Sequence, residues 1–414
     1  MKIIEGKFYV DDEIKNLSLG IENGKIVKIG KSLSGEEKII IEEGTIFPAM
    51  VDMHVHFREP GYTKKEDFES GSLSALHGGV TFYMDMPNTN PVTNTYENFI
   101  SKLNLAKVKS YVDFGLAFLL HNKVPKEIEE KVTAFKIYMS ETTGIGPVNY
   151  LLLPEILKEI KKHVTVHAEF NECIKKDIEE KNLNDHDKAR PETCEIMAVR
   201  YLGDNFNGNI HIAHVSSPDS VELSNAFNFT TEVTPHHIFL NKEMPLGALG
   251  KVNPPIRSKF ISEKLIQYLN SGLIDAIASD HSPHTIDEKE NFSTAPSGLP
   301  GVETSLPLLF QAFKDDLISL NVINKVAMEN PSKLLNIPKG RIKEGYDADF
   351  IVLRLSDSKI IRAKDMHYKC GWTPFENLYG IFPRTVFLRG EKVLDNFEET
   401  IEPGFGKYYP DFDF

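Results

Sequence analysis

The stretch Asp52-Met53-His54-Val55-His56-Phe57-Arg58-Glu59-Pro60-Gly61 sets two histidines one residue apart, directly after an apolar run from Thr45 to Val51. Side chains on a strand alternate faces, so His54 and His56 point the same way, as two ligands of one metal ion must. A His-x-His pair by itself is more often a satisfied core pair. Further ligand types recur, each at the end of its own apolar run: His167 after Val164-Thr165-Val166, His214 after Ile210-His211-Ile212-Ala213, and Asp280 after Ala278-Ser279. Four histidines and a carboxylate form a nitrogen and oxygen donor set suited to zinc or a similar divalent ion. Singly, His167 and His214 read as core histidines and Asp280 as the cap of a turn. Their joint recurrence at strand ends is what points to a site. Lys136, inside Ala134-Phe135-Lys136-Ile137-Tyr138-Met139, is different, because an ammonium cannot ligate a cation and is costly to bury unless paired or neutralised. Spacing favours a lysine paired with a carboxylate such as Glu141 or Asp280. A neutral Lys136 could instead take up carbon dioxide as a carbamate whose oxygens bridge two metals.

The elements that must position these groups are apolar, β-branched runs alternating with helical patterns, the signature of a parallel βα architecture. Eight runs read as strands: 46–56, 80–86, 111–120, 133–139, 164–167, 209–215, 230–235 and 274–279. Helical patterns lie between them, at 65–77, 154–162, 191–202 and 262–271 among others. Eight βα units predict an α/β fold, a (β/α)8 TIM barrel, in which chemistry gathers at the carboxyl ends of the strands. Outside them, residues 2–10 and 20–30 read as strands with Asn23-Gly24 as a hairpin turn, and residues 349–353 and 385–394 repeat the pattern with Arg389-Gly390 as the turn. The economical organisation is a small β-sandwich domain built from both chain ends, residues 1–46 and 341–414, around a catalytic barrel of residues 47–340.

Composition bounds the function. With 414 residues and 41% hydrophobic residues the chain is an ordinary globule in make-up, and no apolar run nears the ~20 residues of a membrane span. The amino terminus has no signal-peptide layout. A net charge of −13 argues against nucleic acid or an anionic membrane as partner, and requires local cations to attract an anionic substrate. Cys173, Cys194 and Cys370 show no CxxC spacing and are too few and scattered for a disulfide framework, which fits a reducing cytoplasm.

In order along the chain, DMHVHFREPG, FKIYMSETTG, VHAE, IHIAHVS, TPHHIFL, KVNPPIR, SDHSPHT and SGLPGVET resemble the motifs of the cyclic amidohydrolases, and within them the dihydroorotase family; RIKEGYDADFIVL and GWTPFENLYGIFPRTVFLRG extend the resemblance over nearly the whole chain. It implies two zinc ions, one held by His54, His56 and Asp280 and the other by His167 and His214, with N6-carboxylated Lys136 as the bridge. Some bacterial relatives place an aspartate elsewhere as bridge; this chain has the lysine form. The implied reaction is the reversible cyclisation of N-carbamoyl-L-aspartate to L-dihydroorotate in pyrimidine biosynthesis, with Asp280 as both metal ligand and acid/base.

The same resemblance assigns the substrate contacts. Arg58, on the same strand face as His56 if the strand continues, offers a fork for the substrate carboxylate, where the plain reading is a surface arginine paired with Glu59. Asn88, Asn253 and His284 match further contact positions, and Pro296 and Gly298 lie in a loop whose backbone could bond the ring amide edges. Thr142 or Thr143, in Ser140-Glu141-Thr142-Thr143-Gly144, matches a mobile loop contact. One of His236 and His237 should line the pocket or support a ligand. Assembly into homo-oligomers, or association with aspartate transcarbamoylase, is compatible with the sequence and marked by no motif. The retained Arg58, Asn253 and His284 favour a dihydroorotase over an allantoinase or a hydantoinase (dihydropyrimidinase), and the complete ligand set argues against a non-catalytic scaffold.

Overall fold

The computed structural model describes all residues except 122–125, 143, 159, 207 and 411–414. Eight parallel strands form one sheet: β1 (Met50–Val55), β2 (Val80–Asp85), β3 (Asp113–Leu119), β4 (Ala134–Tyr138), β5 (Val164–His167), β6 (Ile210–Ile212), β7 (Thr230–Val233) and β8 (Ala276–Ile277). The ends meet where the His56 amide donates to the His281 carbonyl at 2.7 Å, beside a parallel bridge between Val55 and His281, and this closes the barrel. Inside, Phe82, Met84 and Met86 pack against Ala117, Ala134, Ala276 and Ala278, large side chains facing small ones so that the interior fills. Helices such as Phe68–His77, Tyr96–Lys109, Glu192–Asn205 and Lys259–Ser271 connect the strands. The helical pattern at 154–162 yields only the short helix Leu153–Leu157.

The second sheet has nine strands drawn from both chain ends. Thr45–Pro48 joins the two halves by pairing antiparallel with Phe350–Leu353. The run at 46–56 is therefore two strands in two sheets. The switch falls at Ala49, whose amide donates to the Asp349 carbonyl of the small sheet, while the next amide, Met50, donates to the Gly79 carbonyl of the barrel. Asn23 and Gly24, and Arg389 and Gly390, all have positive φ, as a tight two-residue hairpin turn requires. Buried Lys339 pins the sheets together, reaching Asp113 at the start of β3 and Asp349 in the small sheet, each at 2.7 Å.

The carboxyl-terminal segment packs along the barrel through Tyr409, whose amide donates to the Phe114 carbonyl at 2.8 Å. Cys173 and Cys194 form a disulfide despite their spacing, with Cα atoms 5.2 Å apart, because the segment after β5 folds back on the start of helix Glu192–Asn205 and bonds Phe170 to the Cys194 carbonyl. Cys370 is buried and free. Among the described residues no helix is long and apolar enough to cross a membrane.

Candidate metal centre and active site

The barrel delivers the candidate ligands to its carboxyl rim. His54 lies on β1, His56 one residue past its end, Lys136 within β4, His167 at the end of β5, His214 two residues beyond β6 and Asp280 three residues beyond β8. His214 (φ 39°) and Asp280 (φ 44°) adopt left-handed backbone, a strained state for such residues that structures tolerate chiefly at functional sites. Ligand atoms of His54, His56 and Asp280 lie within 4.8 Å of one another. His56 Nε2 stands 3.1 Å and His54 Nε2 3.6 Å from Asp280 Oδ1. On the other side, His167 Nδ1 and His214 Nε2 face each other at 2.9 Å.

The partners of these imidazoles decide which nitrogen is left for a metal. Nδ1 of His54 is taken by Glu232 at 2.5 Å, Nδ1 of His56 by Asn88 Oδ1 at 2.6 Å, and Nε2 of His167 by Glu169 at 2.8 Å. The opposite nitrogens therefore turn lone pairs into the mouth. Burial pushes the His56 imidazole down to about 3, lowers His167 and places His214 far below its ordinary value, so all three stay neutral, the ligating form. Burial alone would raise the Asp280 carboxyl, but the imidazoles of His54 and His56 outweigh it and keep the group ionised. The donor set fits a divalent cation: neutral nitrogens and an anionic oxygen converge, and His214 Nδ1 is buried with no hydrogen-bond partner among the described residues.

Lys136 is fully buried beneath this group, and the expected pairing with Glu141 or Asp280 is not formed. Its Nζ instead sits 3.2 Å from His54 Nε2, because β4 directs it to the barrel axis, where imidazoles rather than carboxylates are nearest. Burial lowers its ammonium to about 8. A substantial neutral fraction near that pH is what carbamate formation needs.

A cavity of about 280 Å³ opens above the ligands. His54, His56, Arg58, Asn88, Thr142, His167, His214, Asn253, Asp280, Pro296 and Gly298 all border it. Arg58 reaches it by another route than a continued strand. β1 ends at Val55, Asp85 accepts the Phe57 amide at 2.6 Å, and Arg58 turns inward with φ 62°. Arg58 is 2% exposed and donates to the Pro283 carbonyl at 3.1 Å, while Glu59 pairs with Lys109, so the surface Arg58–Glu59 pair is not formed. His284 stands behind Arg58, with Nε2 3.2 Å from Nη2. Gly298 has φ 142°, and a Cβ there would meet the Ser282 carbonyl at 2.3 Å, so only glycine lets this backbone approach so closely. His237 bonds the Pro254 carbonyl at 3.0 Å and so anchors the segment carrying Asn253; His236 is buried nearby, and neither borders the cavity. Thr143 lies outside the described residues. A larger cavity, about 680 Å³, opens at the opposite rim around Thr133, His163 and Thr230 and contains none of these groups.

Sequence reasoning missed Glu232, Glu169 and Tyr138. Glu232 was visible as a carboxylate inside an apolar strand and Glu169 as the acid two residues after His167. Tyr138 also borders the cavity, and nothing in its apolar run distinguished it from a core tyrosine.

A parallel barrel with a metal-ready donor set at its carboxyl rim is the layout of one large hydrolase class, and the sequence profile of the amidohydrolase family matches residues 45–391. The chain belongs to the amidohydrolase family. A dihydroorotase of Thermoplasma acidophilum is 40% identical over 99% of this chain and 98% of its own length, and one of Methanosarcina acetivorans is 38% identical over 97% and 93%. Within the family the chain groups with these dihydroorotases, enzymes acting on cyclic amide bonds. Among solved structures, the L-hydantoinase (dihydropyrimidinase) of Arthrobacter aurescens superposes with a TM-score of 0.92 at 28% identity, covering 98% of this chain and 99% of that one.

Proposed function

We propose that the enzyme closes N-carbamoyl-L-aspartate to L-dihydroorotate with loss of water, and reopens it, in pyrimidine biosynthesis. Arg58 carries this reading. Its guanidinium is buried at the cavity wall and has no carboxylate partner among the described residues. A buried charge without a counter-ion is costly, so the anion it serves comes with the ligand. Both proposed substrates carry a carboxylate that the fork can take bidentately, whereas hydantoin and allantoin carry none.

Two zinc ions would suit the donor set: His54, His56 and Asp280 would hold one, His167 and His214 the other, and Lys136, once carboxylated, would add oxygen ligands. Bound there, they would supply a water acidified toward neutrality and a Lewis-acid contact for the ring carbonyl. Asp280, kept ionised by its imidazole neighbours, takes the proton of the attacking water and returns it to the ring nitrogen as the amide C–N bond breaks; closure runs the same transfers backwards. Arg58 and the Asn88 amide hold the carboxylate, and His284 steadies Arg58. Asn253 and the backbone of Pro296 and Gly298 take the ring edge, with Thr142, which borders the cavity from the loop after β4, as a further contact. The catalytic unit of this reading is the barrel expected at residues 47–340, with its start moved to Met50 because residues 47 and 48 pair in the small sheet, flanked by the two chain ends, and the enzyme works in the cytoplasm.

The L-hydantoinase superposition favours a second reading, hydrolysis of an uncharged cyclic amide. One assay separates the two: purified protein tested on L-dihydroorotate, hydantoin and allantoin in parallel, with metal content determined on the same sample. Preference for L-dihydroorotate with about two metals per chain is expected. Turnover of hydantoin alone would transfer the chain to the second reading, and a protein with neither metal nor turnover would be a scaffold.

A further inference from the structure

We propose that the Tyr138 hydroxyl is a substrate-binding group of this site, donating a hydrogen bond to an oxygen of the bound substrate. Tyr138 follows Lys136 by two residues on β4 and so shares its strand face. Its side chain borders the same cavity as Arg58, Asn88 and Asp280, and the residue is only 2% exposed. The ring is held on several sides. It packs with Leu119 and Ile145, its centroid lies 6.2 Å from that of His167, and Lys136 Nζ stands 5.2 Å from it.

The hydroxyl of this fixed ring is buried and has no hydrogen-bond partner among the described residues. Other buried tyrosines place theirs on the protein: Tyr83 on Ser110 Oγ at 2.5 Å, and Tyr408 on the Lys131 carbonyl at 2.7 Å. Tyr368, whose hydroxyl lies beside Thr373, does not border this cavity. A buried hydroxyl without a partner carries a desolvation cost that phenylalanine, filling the same ring space, would avoid. That cost is met when an acceptor arrives with the ligand. The substrates of the proposed reaction offer such acceptors, a carboxylate and the amide carbonyls, and a phenol is a donor suited to either. The identity of the substrate rests on the dihydroorotase reading; the placement of the hydroxyl does not.

The test is Tyr138→Phe beside the parent enzyme, both as metal-loaded full chains, with kcat and KM for L-dihydroorotate hydrolysis, metal content and thermal midpoint measured together. The variant is expected to keep its metal and its midpoint while kcat/KM falls about 10- to 100-fold, the size of one hydrogen bond to a charged or charge-gaining oxygen. A loss carried by KM places the bond on an oxygen held equally in ground and transition states, and a loss carried by kcat places it on the carbonyl oxygen that gains charge. Unchanged kinetics overturn the proposal, as does a loss that tracks falling metal content or midpoint, which would make Tyr138 structural. If the parent fails to cleave L-dihydroorotate, the functional reading fails separately, and the same comparison on hydantoin or allantoin decides Tyr138. Should it cleave none of the three, calorimetric titration with L-dihydroorotate decides: weaker binding by the variant supports the role, and equal or absent binding overturns it.

Discussion

Glu232 Oε1 lies 2.5 Å from Nδ1 of His54, with both side chains fully buried. The bond takes the Nδ1 proton and leaves Nε2 as the lone pair that faces the metal site. Glu232 is itself held, since its second oxygen is 3.2 Å from His211 Nε2 and the other nitrogen of that ring meets Thr230 Oγ1 at 2.9 Å. A ligand held by a carboxylate that is held in turn loses little freedom when a metal binds. Glu232→Gln should therefore weaken metal binding about 10- to 100-fold. Chelator competition measures this directly, and an unchanged affinity would remove Glu232 from the centre.

Lys136 has no carboxylate partner among the described residues and is buried against His54 Nε2. Lys136→Ala should lose bridged metal and nearly all turnover, with partial return of both when short carboxylic acids are added, because they restore two oxygens at the vacated position. Metal analysis and initial rates with and without added acetate check this; a fully active variant would refute the carbamate.

Arg58→Met should raise KM for L-dihydroorotate about 10- to 100-fold, since a charge-assisted bond is worth ~1.5–3 kcal/mol. Zinc content should stay near that of the parent, because Arg58 contacts His284 and the Pro283 carbonyl rather than a candidate metal ligand. Steady-state kinetics with metal analysis separate the two effects, and an unaltered KM would take Arg58 out of the substrate site.

Stability at low pH should depend on Glu169. Burial opposes its charge, yet Arg190, at 3.0 Å from Oε2, and His167 hold its carboxyl down to about 2, against 4.5 for an ordinary glutamate. A depressed carboxyl means that the unfolded chain binds more protons, so the contribution is fully present above pH 4.5 and is lost as the pH falls toward 2. The thermal midpoint of the metal-free protein should drop over that window, and less steeply in Glu169→Gln. Parallel slopes in the two proteins would contradict the assignment.

Much of the site was legible because its signals are local. His54 and His56 share a face by strand periodicity, and His167, His214 and Asp280 each follow an apolar run, so a parallel barrel had to bring them to one rim. Other features depend on contacts the chain makes across long separations. The division at Ala49 follows from which distant carbonyls accept two successive amides, and Arg58 enters the cavity because Asp85 fixes the turn before it. No periodicity encodes either. The Cys173–Cys194 bridge likewise depends on a fold-back that spacing does not announce.

By itself, the sequence determined the barrel, the small sheet drawn from both ends and the set of metal-ligand types, because each follows from the alternation and spacing of residues within single elements. Only the tertiary structure decided which nitrogen each histidine presents, that Lys136 meets an imidazole rather than a carboxylate, and that the hydroxyl of Tyr138 is buried with no partner among the described residues. Those depend on the direction and burial of side chains from separate strands, which are fixed only when the strands close around a common axis.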